Sequence, residues 1–172
     1  MTLIYPGSFD PVTLGHTDIA LRGAKIATKL VVAVLDNPNK KALFSVEERV
    51  AFLQDALGHV GNIHIGSFSG LLVDYAGRQS ATAILRGLRS PGDFESEGRY
   101  AICNRLLSAS GLETIFITAS PSLSFISSSI VREAALHIGT INESALQGMV
   151  SPMVLDALKL KGQGPLHLDR VT

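Results

Sequence analysis

Between positions 5 and 16 the chain reads Tyr5-Pro6-Gly7-Ser8-Phe9-Asp10-Pro11-Val12-Thr13-Leu14-Gly15-His16. The string leaves a short apolar strand at residues 2–4 and enters an amphipathic helix near Gly15. Proline fixes φ and glycine permits positive φ, so this composition makes a tight turn. A strand-to-helix turn aims backbone N–H groups and the positive end of the helix dipole beyond the strand, which suits phosphate. His16, in the first helical turn, can reach the same phosphate, and Gly15 lets a nucleotide approach the backbone. Taken alone, a Gly-His pair reads as an ordinary strand–helix connection with a capping histidine, so its context must decide.

Other polar stretches offer matching chemistry. Asp36-Asn37-Pro38-Asn39-Lys40-Lys41 carries paired lysines, flexible point charges that suit phosphate and are otherwise simply solvated. Arg86-Gly87-Leu88-Arg89 offers guanidinium forks on either side of a Gly-Leu step. Asp93, Glu95 and Glu97 follow, so the same arginines can instead pair with these acids, and Asp93 reads as an N-cap or an arginine partner. Residues 120–129 are rich in serine and lead into a helix holding Ile130 and Val131. Small hydroxyl side chains at a helix start leave N–H groups open and add donors, although serine capping needs no ligand.

The elements that must position these stretches alternate. Apolar runs at 2–4, 30–35, 63–65, 82–85 and 114–117 read as strands, and the second, continuous and β-branched, suits a parallel strand buried on both faces. The first helix places Ile19, Gly23 and Ile26 on one stripe. Ser45-Val46-Glu47-Glu48 is a capping box opening a helix with Val46, Val50, Leu53 and Leu57 at helical spacing, ending near Gly58. Further helices are expected at 71–76, 94–107, 128–137 and 151–161. The implied fold is α/β: a single Rossmann-like doubly wound domain over 1–161, with a five-stranded parallel sheet, right-handed crossovers and C-terminal helices. Ligands of such sheets bind beyond the carboxyl ends of the strands, where every polar stretch above is expected to lie. Residues 162–172 read as a mobile tail.

Composition narrows the partners. With 172 residues the chain can bury a substantial core, and 17% charged residues against about 25% in typical domains fits extensive burial or self-association. A net charge of zero and 6% aromatics argue against nucleic acid. Cys103 is the single cysteine, which leaves no intrachain disulfide or cysteine-rich metal site, and it is expected to pack in a core. No signal-peptide pattern precedes the first strand and no apolar run approaches a membrane span, so the expectation is a cytoplasmic protein without membrane contact.

Thr13-Leu14-Gly15-His16 resembles the His-x-Gly-His signature of the nucleotidylyltransferase superfamily, with Thr13 in place of the first histidine. The string from Tyr5 resembles the opening of the bacterial phosphopantetheine adenylyltransferase family. The stretches starting at Asn39, Leu85 and Phe125 resemble that family's later motifs in register, up to about Glu133 and including Asn104-Arg105. The chain departs from the family pattern at Leu123, where an aromatic is usual. It departs again at Ser90-Pro91-Gly92, at Ser96, where Tyr is common, and at Gly98 inside an expected helix.

The resemblance implies adenylyl transfer from ATP, carrying Mg²⁺, to 4′-phosphopantetheine, giving dephospho-coenzyme A and pyrophosphate. It assigns ATP contacts to Ser8, Phe9, His16, Gly87, Leu88, Arg89, Glu97, Leu123, Ser124, Phe125, Ile126, Ser127, Ser128 and Ser129. It assigns phosphopantetheine contacts to Ser8, Lys40, Leu72 and Arg86. His16, Lys40 and Arg89 would stabilise charge during transfer, with no dedicated metal site. A homohexamer and coenzyme A as a feedback ligand are further implications of the family. The rival readings are a nucleotidylyltransferase with another acceptor or with CTP, and a nucleotide-binding regulatory module without chemistry.

Overall fold

The computed structural model describes residues 1–38 and 41–162. Five parallel strands, β1 (Thr2–Gly7), β2 (Lys29–Asp36), β3 (Ile63–Ser69), β4 (Ala83–Leu88) and β5 (Glu113–Thr118), form one sheet in the order β3-β2-β1-β4-β5. The helices are α1 (Leu14–Ile26), α2 (Val46–Leu57), α3 (Leu72–Arg78), α4 (Pro91–Leu107), α5 (Ser128–Ala135), α6 (Glu143–Gln147) and α7 (Pro152–Gly162). The chain winds outward from β1 to β3, then returns to the other side of β1. That reversal is the doubly wound topology expected from the alternating pattern.

The central strands are apolar on both faces. Leu3, Tyr5, Leu30, Val32, Val34 and Leu85 pack with α1, α2, α5 and α7 into the larger core. Ile4, Val31, Ala33 and Ile84 face the other way, toward Tyr75 and Ala76 of α3. Helix α4 lies on this second face, with Phe94 edge-on to Phe116 of β5 at 5.7 Å. Gly23 of α1 has no room for a side chain, because a Cβ there would meet Leu85 at 2.3 Å.

The strands run further than their apolar cores suggest. Pro6 and Gly7 continue the ladder opposite Ala33 and Val34, and Arg86, Gly87 and Leu88 pair with Phe116, Ile117 and Thr118. Arg86, Gly87 and Leu88 therefore lie in β4, not after it. The β1–β4 ladder, by contrast, covers only Leu3 and Ile4. Beyond Ile4 these two strands separate at the point where strand order reverses. Pro6, which has no N–H to contribute, sits past that fork.

Other boundaries differ for local reasons. Ser90 caps α4 by accepting from the Asp93 N–H at 3.3 Å, and Pro91 occupies the first turn, so Ser90-Pro91-Gly92 opens the helix. Gly98 is accommodated in α4 without interruption. Ile26, expected on the buried stripe, is the last residue of α1 and is exposed, while Ile19 and Gly23 are buried. Cys103, expected in a core, is exposed, because α4 buries none of its residues. A 3₁₀ turn at Pro121–Leu123 and the short α6 add to the sequence reading. The capping box on α2 is present, with Ser45 accepting from Glu48 N–H and Glu48 from Ser45 N–H. Gly162, expected to open the tail, is the last residue of α7, and the rest of the expected tail, 163–172, lies outside the described residues.

Candidate active site

The fork between β1 and β4 opens into a cavity of about 460 Å³. Its floor is Tyr5, Pro6 and Gly7 of β1 with Arg86 and Gly87 of β4, and Arg86 spans the gap by donating to the Pro6 carbonyl at 3.3 Å. Gly87 is small for a packing reason, since a Cβ there would meet Ile19 of α1 at 3.0 Å. Ser8 and Phe9 turn the chain over one end, with His16, at the start of α1, beside them. Ser127, Ser128 and Ser129, at the start of α5, close the other side.

The turn is built around the Phe9 ring. Phe9 is buried at a positive φ of 47°, a strained conformation for a side chain of this size. Its ring meets Tyr5 at 5.5 Å and His16 at 5.2 Å, edge-on in both cases. The missing side chain of Gly7 makes space for it, because a Cβ would lie 2.8 Å from the ring.

His16 is held by its own helix start. The Thr13 N–H donates to His16 Nδ1 at 3.0 Å, and Thr13 Oγ1 lies 2.9 Å from the same nitrogen. A backbone N–H can only donate, so Nδ1 is the acceptor and the proton of the neutral ring is on Nε2. Burial, and then the positive charge of Arg89, push the His16 pKa down to about 4. The ring is thus a neutral donor near pH 7 rather than a cation.

The arginines are paired with acids of α4. Arg86 Nε is 3.4 Å from Glu97 Oε2, a buried oxygen that makes this ion pair without a hydrogen bond. Arg89 Nε donates to Asp93 Oδ2 at 3.2 Å, and its backbone N–H donates to the same oxygen at 2.9 Å. Burial pushes the Asp93 carboxyl up, but the Arg89 and Ser90 contacts together outweigh it and hold the group below its usual range. Asp93 is an arginine partner in the first turn of α4, whose N-cap is Ser90.

Of the residues singled out in the sequence, Ser8, Phe9, His16, Arg86, Gly87, Arg89, Glu97, Ile126, Ser127, Ser128 and Ser129 border this one cavity. Leu88 ends β4 opposite Thr118, and Leu72 opens α3 against the second core. Leu123 packs on the larger core, Ser124 donates to the Pro121 carbonyl at 3.0 Å, and Phe125 is exposed. Lys40 lies outside the described residues.

A neighbouring cavity of about 310 Å³ shares Ser8, Ser128 and Ser129 with the first and adds Asp10, Asp36, Lys41, Arg49 and Arg132. Sequence reasoning missed Asp10, Arg49 and Arg132, although each lies inside a stretch it had marked. Arg49 is buried, and its guanidinium donates to the carbonyls of Ser45, Ser8 and Leu35. It ties the ends of β1 and β2 to α2.

An open α/β sheet with its pocket at the strand-order reversal, a Thr-Leu-Gly-His turn and a serine-rich helix start define a nucleotidyltransferase architecture. The cytidylyltransferase-like family model matches residues 4–134. Phosphopantetheine adenylyltransferase of Synechococcus elongatus is 50% identical over 141 residues, covering 82% of this chain and 84% of that protein. The enzyme of the same description from Caldanaerobacter subterraneus subsp. tengcongensis is 49% identical over 140 residues, covering 81% and 87%. A solved Plasmodium falciparum nicotinic acid mononucleotide adenylyltransferase, complexed with NaAD, is similar in fold with a TM-score of 0.66. Its identity is 16%, and the match covers 94% of this chain and 96% of that one. The chain belongs to the cytidylyltransferase-like nucleotidyltransferases and, within them, to the phosphopantetheine adenylyltransferase family.

Proposed function

We infer that the chain transfers the adenylyl group of ATP to 4′-phosphopantetheine, releasing pyrophosphate and forming dephospho-coenzyme A. The observation that carries this reading is the single cavity between β1 and β4, bordered by His16, Arg86, Arg89 and the start of α5. The relatives at about 50% identity supply the acceptor. An oxygen of the acceptor phosphate attacks the α-phosphorus of ATP, the α,β-bridging P–O bond breaks, and its electron pair leaves on pyrophosphate. The nucleophile is already ionised, so no general base is needed, and rate comes from alignment and charge stabilisation.

In this reading the Nε2–H of His16 and the guanidinium of Arg89 serve the phosphates of ATP. Ser8, Phe9 and Ser127, Ser128 and Ser129 offer backbone N–H and hydroxyl groups to the same anion. Gly87, Leu88, Glu97, Leu123, Ser124, Phe125 and Ile126 bound the nucleotide. Arg86, Lys40, Leu72 and Ser8 serve phosphopantetheine. Mg²⁺ enters as part of the MgATP substrate. Among the described residues no three His, Cys, Asp or Glu side chains converge, and Asp93 and Glu97 are engaged by arginines.

Coenzyme A contains both halves of the product, so it would compete for the same cavity as a feedback ligand. Assembly as a homohexamer is supported by α4, which exposes Phe94, Tyr100, Ile102, Leu106 and Leu107. Large apolar side chains exposed together on one helix ordinarily mark an interaction surface. Among the described residues no helix is long and apolar enough to cross a membrane.

The test is pyrophosphate release with ATP, Mg²⁺ and 4′-phosphopantetheine, with the product mass read in parallel. A dephospho-coenzyme A mass is expected. ATP binding without release would reject this acceptor.

A further inference from the structure

We propose that Asp10 is a positioning residue for the acceptor: its carboxylate fixes the segment between β2 and α2 at Leu43 and Phe44, and Arg132 of α5 braces that carboxylate. The proposal rests on the reading of this lysine-bearing segment as the acceptor side of the site.

Asp10 is 6% exposed, and a buried carboxylate is costly unless its oxygens are satisfied. Here both are. The Phe44 N–H donates to Oδ1 and the Leu43 N–H to Oδ2, each at 2.9 Å. Arg132 Nη1 lies 3.7 Å from Oδ2 and also donates to the Asp10 carbonyl. Hydrogen bonds to an ionised acceptor are among the stronger ones in proteins.

The partners come from separate parts of the chain. Asp10 follows Ser8 and Phe9, Leu43 and Phe44 follow Lys40 and Lys41, and Arg132 shares α5 with Ser128 and Ser129. Phe44 is itself anchored, buried edge-on against Phe52 at 5.0 Å. Lys41 therefore leads directly into a fixed stem, Leu43 and Phe44, whose place is set by Asp10. Lys41, just upstream, borders the same cavity as Ser8, Ser128 and Ser129. Asparagine cannot substitute, because facing two N–H donors it offers one oxygen and sets its own NH₂ against the other donor.

The experiment uses the full chain carrying Asp10→Asn, with circular dichroism to confirm folding. Amide hydrogen exchange at Leu43 and Phe44 is expected to accelerate about tenfold or more, while β2 amides keep their protection. In steady state the acceptor KM is expected to rise about tenfold, with the ATP Kd within about twofold of wild type. Unchanged exchange at Leu43 and Phe44, or equal losses of ATP and acceptor affinity, would overturn the proposal. If Asp10→Asn does not fold, Arg132→Gln is read by exchange alone, where faster exchange at the same amides supports the brace and no change rejects it. Failure of the wild-type chain to use 4′-phosphopantetheine would reject the acceptor reading instead, and the exchange result does not depend on it.

Discussion

The backbone N–H of Thr13 points at Nδ1 of His16 from 3.0 Å, which fixes the imidazole as the Nε2–H tautomer. The donor that faces the cavity is therefore set by the first turn of α1 before any ligand arrives. Burial and Arg89 lower the His16 pKa to about 4, against an ordinary value of 6.5. Nitrogen-resolved NMR of the free enzyme should show this ring neutral at pH 6, with an Nε2–H signature and a midpoint near 4. The unfolded chain takes up this proton near 6.5 and the folded chain near 4, so acidification through that window destabilises the fold. His16→Ala should flatten that part of the stability–pH curve. A midpoint near 6.5, or an Nδ1–H ring, would remove the neutral-donor role.

Replacing His16 by alanine should lower kcat about 10²–10³-fold, the usual loss on removing one donor from a charge-stabilising site. The fold should survive, at a cost of about 1–3 kcal/mol for the unpaired Thr13 N–H. A near wild-type kcat would show that His16 only caps α1.

Arg86→Ala and Lys40→Ala should act differently, raising the acceptor KM while leaving the ATP Kd nearly unchanged. Arg86 already faces Glu97 at 3.4 Å, so its removal also leaves a buried carboxylate oxygen without its cation. Glu97→Gln in the Arg86→Ala background should therefore recover stability without recovering acceptor affinity. Acceptor titration at saturating ATP, beside thermal melts, separates the two effects.

Much of this was legible from local pattern. The Ser45–Glu48 capping box needs only a four-residue window, and the β-branched run of β2 announces burial on both faces. Long-range pairing was not legible. Arg86 belongs to β4 only because Phe116 lies opposite it, and Asp10 acquires its role from Leu43, Phe44 and Arg132, far along the chain. Cys103 looked like a core residue by type, yet its helix leaves it exposed. The turn motif placed the site, but which carboxylate neutralises which arginine depends on how α4 lies across β4.

Gly7→Ala tests the packing beneath His16. The added methyl would meet the Phe9 ring at 2.8 Å, in a core where overpacking costs about 1–3 kcal/mol. At this chain length each kcal/mol lowers Tm by about 2–4 °C. Because the Phe9 ring lies against His16, displacement should also reduce kcat more than either KM. A variant that loses stability but keeps kcat would mean that Phe9 yields without carrying His16 with it.

Helix α4 makes the last prediction. Leu106 is 80% exposed and Leu107 63%, and neither contributes to a core, so their apolar surface is available to a second copy of the chain. Leu106→Glu with Leu107→Glu should leave the melting of the isolated protomer nearly unchanged, since exposed substitutions usually cost within about 0.5 kcal/mol. On the proposed hexamer, the same pair should shift the chain to smaller species in sedimentation velocity. Asp93 and Glu97 sit on this helix and hold Arg89 and Arg86, so loss of assembly should also loosen the arginines and raise both substrate KM values. An unchanged sedimentation coefficient would place the assembly surface elsewhere. A dissociated chain with unchanged KM values would show that α4 holds the arginines without help from its neighbours.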